Sequence, residues 1–301
     1  MEIRVLRYFL AVAREGNMTA AAAALHVTQP TLSRQLADLE EELGARLFER
    51  KSRGVALTPD GMRLRERAEE IIGLLDKTRA EFAAPGAELA GDIHIGCGET
   101  REMRHLAELM RETRAAHPGI RFHIHSGNSE DVTERLDRGL LDFGILIQPA
   151  DLTKYDSAPL PGKDLWGVLT RRDGALARLP FVTRQDLLGE PLILSRQVMR
   201  RAAAPNAFLD WFGADYERLH VAATYNLAYN AARMAEVGVG LVVSLDGLAD
   251  VSEHSGLRFI PLEPRLECGL DIVWKKSGLF SPAAGAFFRR IRERFGGGDH
   301  T

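Results

Sequence analysis

The spacing of apolar residues changes near residue 90. Before that point, apolar side chains recur every three or four positions, which is the period of an amphipathic helix. After it, short runs rich in valine, isoleucine and leucine alternate with helical stretches, which indicates an α/β architecture with largely parallel sheets. The runs that predict strands are residues 92–98, 120–126, 141–147, 165–171, 191–195, 219–224, 239–245 and 268–274.

The first region predicts three short helices. Apolar spacing over residues 3–15 predicts the first, and Gly16 with Asn17 provides the residue types that end a helix. Asn17 or Thr19 can cap an alanine-rich second helix, whose small side chains allow close approach of its neighbours. Thr28 can cap a third helix with a proline in its first turn, where no backbone N–H is missed.

The third predicted helix has a leucine face and a polar face. The leucine face contains Leu32, Leu36, Leu39 and Leu43. The opposite face starts with small, polar and cationic residues and ends with glutamates, which phosphates would repel. That asymmetry favours a recognition helix that enters the major groove with its first turns only. The candidate DNA contacts are Thr28, Gln29, Pro30, Thr31, Ser33 and Arg34.

These side chains suit different parts of DNA. Arg34 suits a guanine edge or a phosphate, and Gln29 suits adenine, while Thr31 and Ser33 can hydrogen-bond to either. The alternative is a helical hairpin with a solvated face, which is equally compatible with the helix pair alone.

A predicted β-hairpin at residues 46–61 favours the DNA-binding interpretation. Its turn lies at residues 52–54, and Arg50, Lys51 and Arg53 cluster at the tip. A basic hairpin directly after a recognition helix is typical of the wing of a winged helix-turn-helix, which contacts the phosphate backbone or the minor groove. A merely solvated turn is less consistent with the preceding helices.

Residues after Thr58 and Pro59 predict a long helix with coiled-coil spacing. Such a seam favours pairing with a second copy of the chain, while packing on the same chain is the alternative. The proline- and glycine-containing segment 84–89 ends the helix. The predicted dimerisation positions are Leu64, Ala68, Ile71, Leu75 and Phe82.

Residues 6–70 resemble the DNA-binding region of LysR-type transcriptional regulators. The resemblance rests on "TQPTLSRQL", "LEEELGARLFER" and "LTPDG", in this order and spacing, and on the layout of the whole chain. Many members have serine where Thr28 stands, and threonine caps nearly as well. The resemblance implies a winged helix-turn-helix domain, a linker helix and a two-subdomain α/β inducer domain resembling periplasmic binding proteins. The corresponding segments are residues 1–58, 59–86 and 87–301, with subdomain I at 91–161 and 267–295 and subdomain II at 162–266.

Candidate ligand contacts follow the predicted strands. Ligands of such sheets bind beyond the carboxyl ends of the strands, next to helix N-termini that attract negative charge, so we expect a small anion or carbonyl compound. The candidates are Thr100, Asn128, Ser129, Gln148, Ser195 and Asn226. Helix capping without ligand contact is the alternative. Thr100 and Ser195 are preferred because the family commonly places inducer contacts after these two strands.

Charge and composition exclude few classes of protein. The formal net charge is −3, so any positive surface for DNA must be local. The chain has no signal-peptide pattern and no apolar run near the roughly 20 residues that span a bilayer. Two cysteines form no disulfide framework, so we expect a cytoplasmic protein without membrane contact.

The histidines and cysteines are interpreted as structural residues rather than as a metal or redox site. His94, His123 and His125 could approach one another, but no cysteine or carboxylate spacing supports a metal site. Cys97 and Cys268 are more consistent with buried thiols than with a redox switch. We find no dinucleotide fingerprint, P-loop or nucleophile elbow, and therefore expect no cofactor, no metal and no enzyme.

The sequence as a whole predicts a ligand-responsive regulator. We expect a homodimer, assembling into a tetramer, that binds double-stranded promoter DNA, responds to a small-molecule inducer and contacts RNA polymerase. A solute-binding sensor without DNA binding is the alternative, and an enzyme built on the α/β region is a weaker one.

Overall fold

The computed structural model describes residues 1–51, 54–81, 89–197, 199, 206–276 and 280–296. The chain divides into two units, Met1–Ala83 and Ala84–Thr301, each with its own hydrophobic core. Within the described ranges, every helix is too short or too polar to cross a membrane.

The first unit has the predicted winged helix-turn-helix architecture. Three helices precede a two-stranded antiparallel hairpin, and a long helix follows it. The elements are α1 (Ile3–Glu15), α2 (Met18–Ala24), α3 (Gln29–Leu43), β1 (Phe48–Arg50), β2 (Val55–Leu57) and α4 (Pro59–Glu81).

Caps at the helix ends fix the two joints of this unit. Gly16 ends α1 with φ +61°, a left-handed conformation that glycine adopts without strain. The side chain of Asn17 then accepts the N–H groups of two residues in the first turn of α2, at 2.8 and 3.1 Å. Thr28 Oγ1 accepts the N–H of Thr31 at 3.4 Å and caps α3. The predicted caps are therefore confirmed.

The leucine face of α3 closes the core of the first unit. Leu32, Leu36 and Leu39 are almost fully buried against α1 residues such as Phe9. The prediction for Leu43 is wrong, because this side chain is 42% exposed. It is the last residue of α3, and Gly44 turns the chain away immediately after it.

The second unit contains two sheets. The first sheet has the strand order β4-β3-β5-β13-β6, and the strand that returns near the C-terminus runs antiparallel to both of its neighbours. We call this sheet and its helices the first subdomain. Its elements are β3 (Gly91–Cys97), β4 (Ile120–Ser126), β5 (Phe143–Ile147), β6 (Tyr155–Pro159), β13 (Leu270–Lys275), α5 (Met103–Ala116), α6 (Ser129–Asp137) and α10 (Pro282–Phe295).

The second sheet has the order β11-β7-β10-β8-β9, with a short strand β12 also paired to β7. We call this sheet and its helices the second subdomain. Two 3₁₀ turns lie at Ala175–Arg178 and Gly213–Arg218. The other elements are β7 (Asp164–Arg171), β8 (Pro191–Ser195), β9 (His220–Tyr225), β10 (Leu241–Leu245), β11 (Leu257–Pro261), β12 (Glu267–Cys268), α7 (Arg184–Leu187), α8 (Ala207–Phe212) and α9 (Ala228–Glu236).

The segment predicted as one strand at 268–274 is two strands. Cys268 pairs with Asp164 of the second sheet, whereas Leu270 pairs with Ile147 of the first. The break falls at Gly269, where a Cβ atom would lie 2.8 Å from Gln148 Oε1. The chain thus crosses between the sheets here and again between β6 and β7.

Candidate functional site

The predicted DNA contacts of α3 lie together at its exposed start. Thr28, Gln29, Pro30, Thr31 and Arg34 are exposed, and only Ser33 is half-buried. The hydroxyls of Thr28 and Thr31 lie 2.8 Å apart, so the cap also orders the first turn. The structure therefore presents a polar and cationic surface that the buried leucines hold in place.

Backbone contacts place the hairpin beside the joint between α1 and α2. Val55 donates its N–H to the carbonyl of Gly16 at 2.8 Å. Gly54 has φ +93°, and a Cβ atom there would lie 2.2 Å from the same carbonyl, so only glycine fits. Lys51 is exposed, and its Nζ lies 2.5 Å from Glu49 Oε1.

Part of the predicted basic tip lies outside the described residues. Arg53 is not among them, and the side chain of Arg50 is not described. Glu40, which the sequence suggested would only repel phosphate, has a structural role. Its Oε1 accepts the N–H groups of Leu47 and Phe48 at 2.6 and 3.1 Å, which fixes the start of the hairpin relative to α3.

The predicted dimerisation positions divide into two groups. Ala68 is fully buried within the first unit and Leu64 packs against the same core, so these two side chains already serve the chain itself. Ile71 is 37% exposed and Leu75 is half-buried. Phe82 lies outside the described residues.

A cavity of about 580 Å³ lies between the two subdomains. One part of its wall is apolar, and the other carries amide, hydroxyl and carboxylate groups. The main apolar residues are Ile147, Trp166, Phe208, Leu245, Leu248 and Leu266. The main polar residues are Glu99, Asn128, Gln148, Ser195, Gln197, Tyr225, Asn226 and Ser244. This mixture is typical of a site for a small organic molecule.

Polar contacts connect the subdomains near the cavity. The carboxylate of Glu99 accepts the N–H of Ala228. Gln197 Nε2 donates to Ser129 Oγ at 2.7 Å. Arg101 donates to Asp246 Oδ2 at 2.8 Å. Each of these contacts joins residues of different subdomains, so each depends on the relative orientation of the two subdomains.

Two family models match the chain. A bacterial regulatory helix-turn-helix protein model of the lysR family matches residues 3–62. A LysR substrate binding domain model matches residues 86–296, which is more than half of the chain. The chain belongs to the LysR family of transcriptional regulators.

This LysR-type regulator is similar to full-length relatives. It is 29% identical to the uncharacterized HTH-type transcriptional regulator YvbU of Bacillus subtilis (strain 168), over 98% of this chain and 99% of that one. It is 30% identical to the uncharacterized HTH-type transcriptional regulator YbhD of Escherichia coli (strain K12), over 95% and 90%. The fold is similar to that in the crystal structure of CbnR, a LysR family transcriptional regulator, with a TM-score of 0.69 and 22% sequence identity over 97% of this chain and 99% of that one. Full-length CbnR complexed with its target DNA has a TM-score of 0.66 at 23% identity, over 97% and 99%.

Family membership decides among the classes that the sequence left open. The chain is a DNA-binding transcriptional regulator with a substrate-binding domain, and members of this family are regulators rather than enzymes. The predicted fold is confirmed. The alternative of a sensor without DNA binding is wrong.

Four of the six predicted ligand contacts of this LysR-type regulator line the cavity. They are Asn128, Gln148, Ser195 and Asn226. Two of the four already have partners, since Asn128 caps α6 by accepting the N–H of Asp131 at 3.0 Å and Gln148 donates to Asp271 at 2.6 Å. Ser129 lines a neighbouring pocket and bonds to Gln197.

Thr100, a preferred candidate, does not line the cavity. Its side chain is buried, and Oγ1 accepts the N–H of Glu102 at 3.0 Å within the turn that precedes α5. The adjacent Glu99 lines the cavity instead. Sequence reasoning missed Glu99 because it sought small polar caps after the predicted strands.

Trp166 and Phe208 were also missed. Both rings are buried and lie 5.0 Å apart between centroids, forming part of the apolar wall. The sequence signal for Trp166 was the apolar run around it, which equally predicts a core strand, and Phe208 lies outside the predicted strands. Tyr225, which lines the wall nearby, directs its hydroxyl to the carbonyl of Val243 at 2.8 Å.

The histidines and cysteines occupy ordinary structural positions. The rings of His94 and His123 stack with centroids 4.7 Å apart, and His123 Nε2 lies 2.8 Å from Asp92 Oδ1. Both Cys97 and Cys268 are buried free thiols, and burial raises the pKa of each to about 12. Within the described ranges, no group of three or more histidine, cysteine or acidic residues is placed to hold a metal.

A buried carboxylate lies where the chain enters the second sheet. Asp164 has no exposed surface, and burial raises its pKa to about 6. The neighbouring charge of Glu102 raises the pKa further, while the nearby Thr100 hydroxyl and Arg101 lower it. The Thr100 hydroxyl lies near Asp164, but none of the described residues forms a hydrogen bond with the Asp164 carboxylate oxygens.

Replacing Asp164 by Asn should raise the unfolding midpoint of the second unit at pH 8 and change it little at pH 4. The folded-state pKa of about 6 lies above the ordinary 3.8, so the folded chain binds this proton more tightly than the unfolded chain. Ionisation therefore destabilises the fold in full above about pH 6, and the effect disappears below the ordinary pKa of 3.8. The shift corresponds to about 3 kcal/mol.

Tryptophan fluorescence in urea measures this transition, because Trp166, Trp211 and Trp274 all lie in the second unit. Asp156→Asn, at an exposed position of β6, is the matched control. Equal gains for the two substitutions at both pH values would contradict the role assigned to Asp164.

Proposed function

We propose that the first turns of α3 read base pairs in the major groove and that the wing binds the backbone of promoter DNA. The observation that carries the proposal is the exposed cluster at the start of α3, which three buried leucines orient outward. The CbnR structure with its target DNA supports it, because the fold is the same. Arg34 contacts guanine or a phosphate, and Gln29 contacts adenine, while Thr28, Pro30, Thr31 and Ser33 fit the polar surface around them.

The charge of this unit is arranged for such a contact. The chain as a whole carries a formal charge of −3, so attraction to phosphate depends on where the cations lie. Arg34 lies at the exposed start of α3, and Glu41 and Glu42 lie exposed at its end. We propose that Arg50, Lys51 and Arg53 extend the cationic surface along the wing.

We propose that α4 pairs with the same helix of a second copy, giving a homodimer, and that dimers assemble into a tetramer. Helix α4 divides its apolar residues between two directions. Ala68 and Leu64 pack inward, whereas Ile71 and Leu74 are 37% and 41% exposed. Exposure of an apolar stripe on a 23-residue helix to water is unfavourable, and burial of that stripe against a partner helix stabilises the pair.

We propose that the cavity between the subdomains binds a small-molecule inducer. Its volume and its mixture of apolar and hydrogen-bonding walls suit such a ligand. Which ligand charge the cavity accepts depends on the groups around the N-terminus of α9. A ligand that prefers one orientation of the subdomains shifts the population toward it. We propose that this shift changes the spacing of the DNA-binding domains and the contact with RNA polymerase, in the cytoplasm where promoters lie.

The segments 1–58, 59–86 and 87–301 are proposed as the functional divisions of the regulator. The first binds DNA, the second joins two copies and the third senses the ligand. Within the third segment we propose subdomain I at 91–161 and 267–295 and subdomain II at 162–266. Glu267–Cys268 pairs with the second sheet.

Replacing Arg34 by Ala should remove much of the sequence preference of DNA binding. Loss of one good base contact is worth about 1–3 kcal/mol, which is roughly a 5- to 150-fold loss of affinity for the correct site. Mobility-shift titrations with the region upstream of the gene and with a scrambled duplex measure the ratio of affinities. Arg114→Ala, which removes an exposed charge from α5, is the control. An unchanged ratio for the Arg34 variant would show that α3 does not read bases through this residue.

Replacing Arg50, Lys51 and Arg53 together by Ala should weaken binding to all sequences alike. Each phosphate contact contributes about 0.9 to the slope of log affinity against log salt concentration, so the slope should flatten by about 3. The ratio of specific to scrambled affinity should stay near the wild-type value. Removing three exposed arginines from α5, Arg104, Arg111 and Arg114, controls for lost charge. A slope that matches this control would exclude the wing from the phosphate contact.

Replacing Ile71 by Glu should shift the protein toward monomers. The charged side chain would be buried at the proposed helix pair without a partner, which is costly. Sedimentation velocity across micromolar concentrations measures the mass. Met62→Glu is the control, because Met62 is a 54% exposed apolar residue on the same helix but off the predicted seam. If the Ile71 variant keeps the wild-type mass, as the Met62 variant should, Ile71 is not part of the interface.

A further inference from the structure

The helix α9 begins without a cap of its own. Its N-cap residue is Leu227, with φ −125°, and no side chain of the helix's own segment bonds to the first turn. Unpaired N–H groups at a helix start are unfavourable when buried, and Ala228 is buried. A partner from elsewhere is therefore required at this position.

Glu99 provides that partner from the opposite subdomain. It follows β3 of the first sheet, and its carboxylate accepts the N–H of Ala228 at the start of α9. A carboxylate at a helix N-terminus is favoured both by the hydrogen bond and by the positive end of the helix dipole. The contact therefore caps the helix and joins the two subdomains across the cavity.

The negative charge of Glu99 acts on groups that line the cavity. Burial raises the pKa of Tyr225 to about 12, the nearby Ser244 hydroxyl lowers it, and the charge of Glu99 adds to the increase. Glu99, Tyr225 and Ala228 all line the cavity. A bound carboxylate would meet this charge at short range in a partly desolvated site.

The other charges of the described lining do not reverse this field. Of these residues, Lys163 and Glu267 are also charged, and Lys163 Nζ lies 3.5 Å from Glu267 Oε2. Two further helix N-termini border the cavity. That of α6 is closed by the reciprocal bonds between Asn128 and Asp131, and at α8 the side chain of Asn206 accepts the N–H groups of Phe208 and Leu209. Each of these three helix starts therefore already has an acceptor from the chain itself.

Uncharged hydrogen-bonding groups complete the site. Ser244 is fully buried, and its hydroxyl has no hydrogen-bond partner among the described residues that satisfies the geometry. It lines the cavity together with the amides of Gln148 and Asn226. With the rings of Trp166 and Phe208, these groups suit a ligand that has an apolar body and uncharged polar groups.

We propose that Glu99 is a built-in anion at the start of α9, so that the cavity selects uncharged ligands over carboxylates. The expectation of an anionic inducer rested on helix N-termini, and here the chain itself occupies them. A ligand carboxylate would have to displace Glu99 and open the contact between the subdomains. The ligand class rests on the proposed inducer function of the cavity, whereas the occupation of α9 by Glu99 does not.

Chemical rescue of a truncated side chain tests the proposal. Glu99→Ala removes a fragment that corresponds to acetate and leaves the Ala228 N–H without its partner. The thermal midpoint of the second unit, followed by tryptophan fluorescence, is measured with sodium acetate, with acetamide and with sodium chloride at equal ionic strength. The variant should unfold at a lower temperature than wild type, and acetate should restore stability where acetamide does not.

The decisive comparison is the affinity for acetate. We expect the variant to bind acetate at least about fivefold more tightly than wild type, which is the size of effect that a charge at a helix N-terminus produces. Equal stabilisation of wild type and variant by acetate, or no rescue of the variant, would overturn the proposal. Glu253→Ala, at an exposed position of the second unit, should show neither destabilisation nor rescue.

Two further measurements keep the outcome interpretable. If Glu99→Ala does not fold, Glu99→Ser, which also lacks the carboxylate, must show the same rescue. Wild-type DNA binding is measured separately by mobility shift, without acetate. Intact DNA binding with no rescue removes only the role of Glu99, whereas rescue without DNA binding contradicts the proposed regulator function alone.

Discussion

The N–H groups at the start of a helix have no partner within that helix, and in this chain side chains accept them both in the first unit and beside the cavity of the second. Asn17 and Thr28 cap the two helices that form the DNA-binding corner. Asn128 caps α6 beside the cavity. At α9 the chain supplies no local cap, and Glu99 reaches across from the other sheet. The same physical requirement thus fixes a rigid corner in one unit and a contact between subdomains in the other.

Burial of the leucine face then determines what α3 shows to solvent. Three leucines fix the rotation of the helix about its own axis, and a rotation by one residue, about 100°, would turn Arg34 away from its present direction. Glu40 sits on the same helix and binds two backbone N–H groups at the start of the wing. The exposed start of α3 and the hairpin are therefore positioned by a single element, as the proposed DNA contact requires.

Periodicity and capping rules recovered the local structure because those signals are local. The helices of the first unit, their caps and most strands followed from residues close in sequence. Strands β6 and β11 were missed because their residues alternate weakly and are selected by pairing with distant strands. The strand around Gly269 was not divided for the same reason, since its two halves pair with strands of different sheets that lie more than a hundred residues earlier in the sequence.

The ligand site exposes the limit of such rules most clearly. Thr100 and Glu99 are neighbours, and both follow β3, so position after a strand did not distinguish them. What distinguishes them is the identity of the group that each one faces. Thr100 faces the N–H of Glu102 in its own loop, whereas Glu99 faces that of Ala228, 129 positions away.

The same long-range contacts explain how the second unit can respond to a ligand. Glu99 with Ala228, Gln197 with Ser129 and Arg101 with Asp246 all join the two sheets, while the chain itself crosses between them beside the buried Asp164. Polar contacts of this kind depend steeply on geometry, so a small rotation of one sheet breaks several of them together. A ligand that fits only one orientation must offset that loss with its own contacts, and the difference in its affinity for the two orientations sets the size of the response.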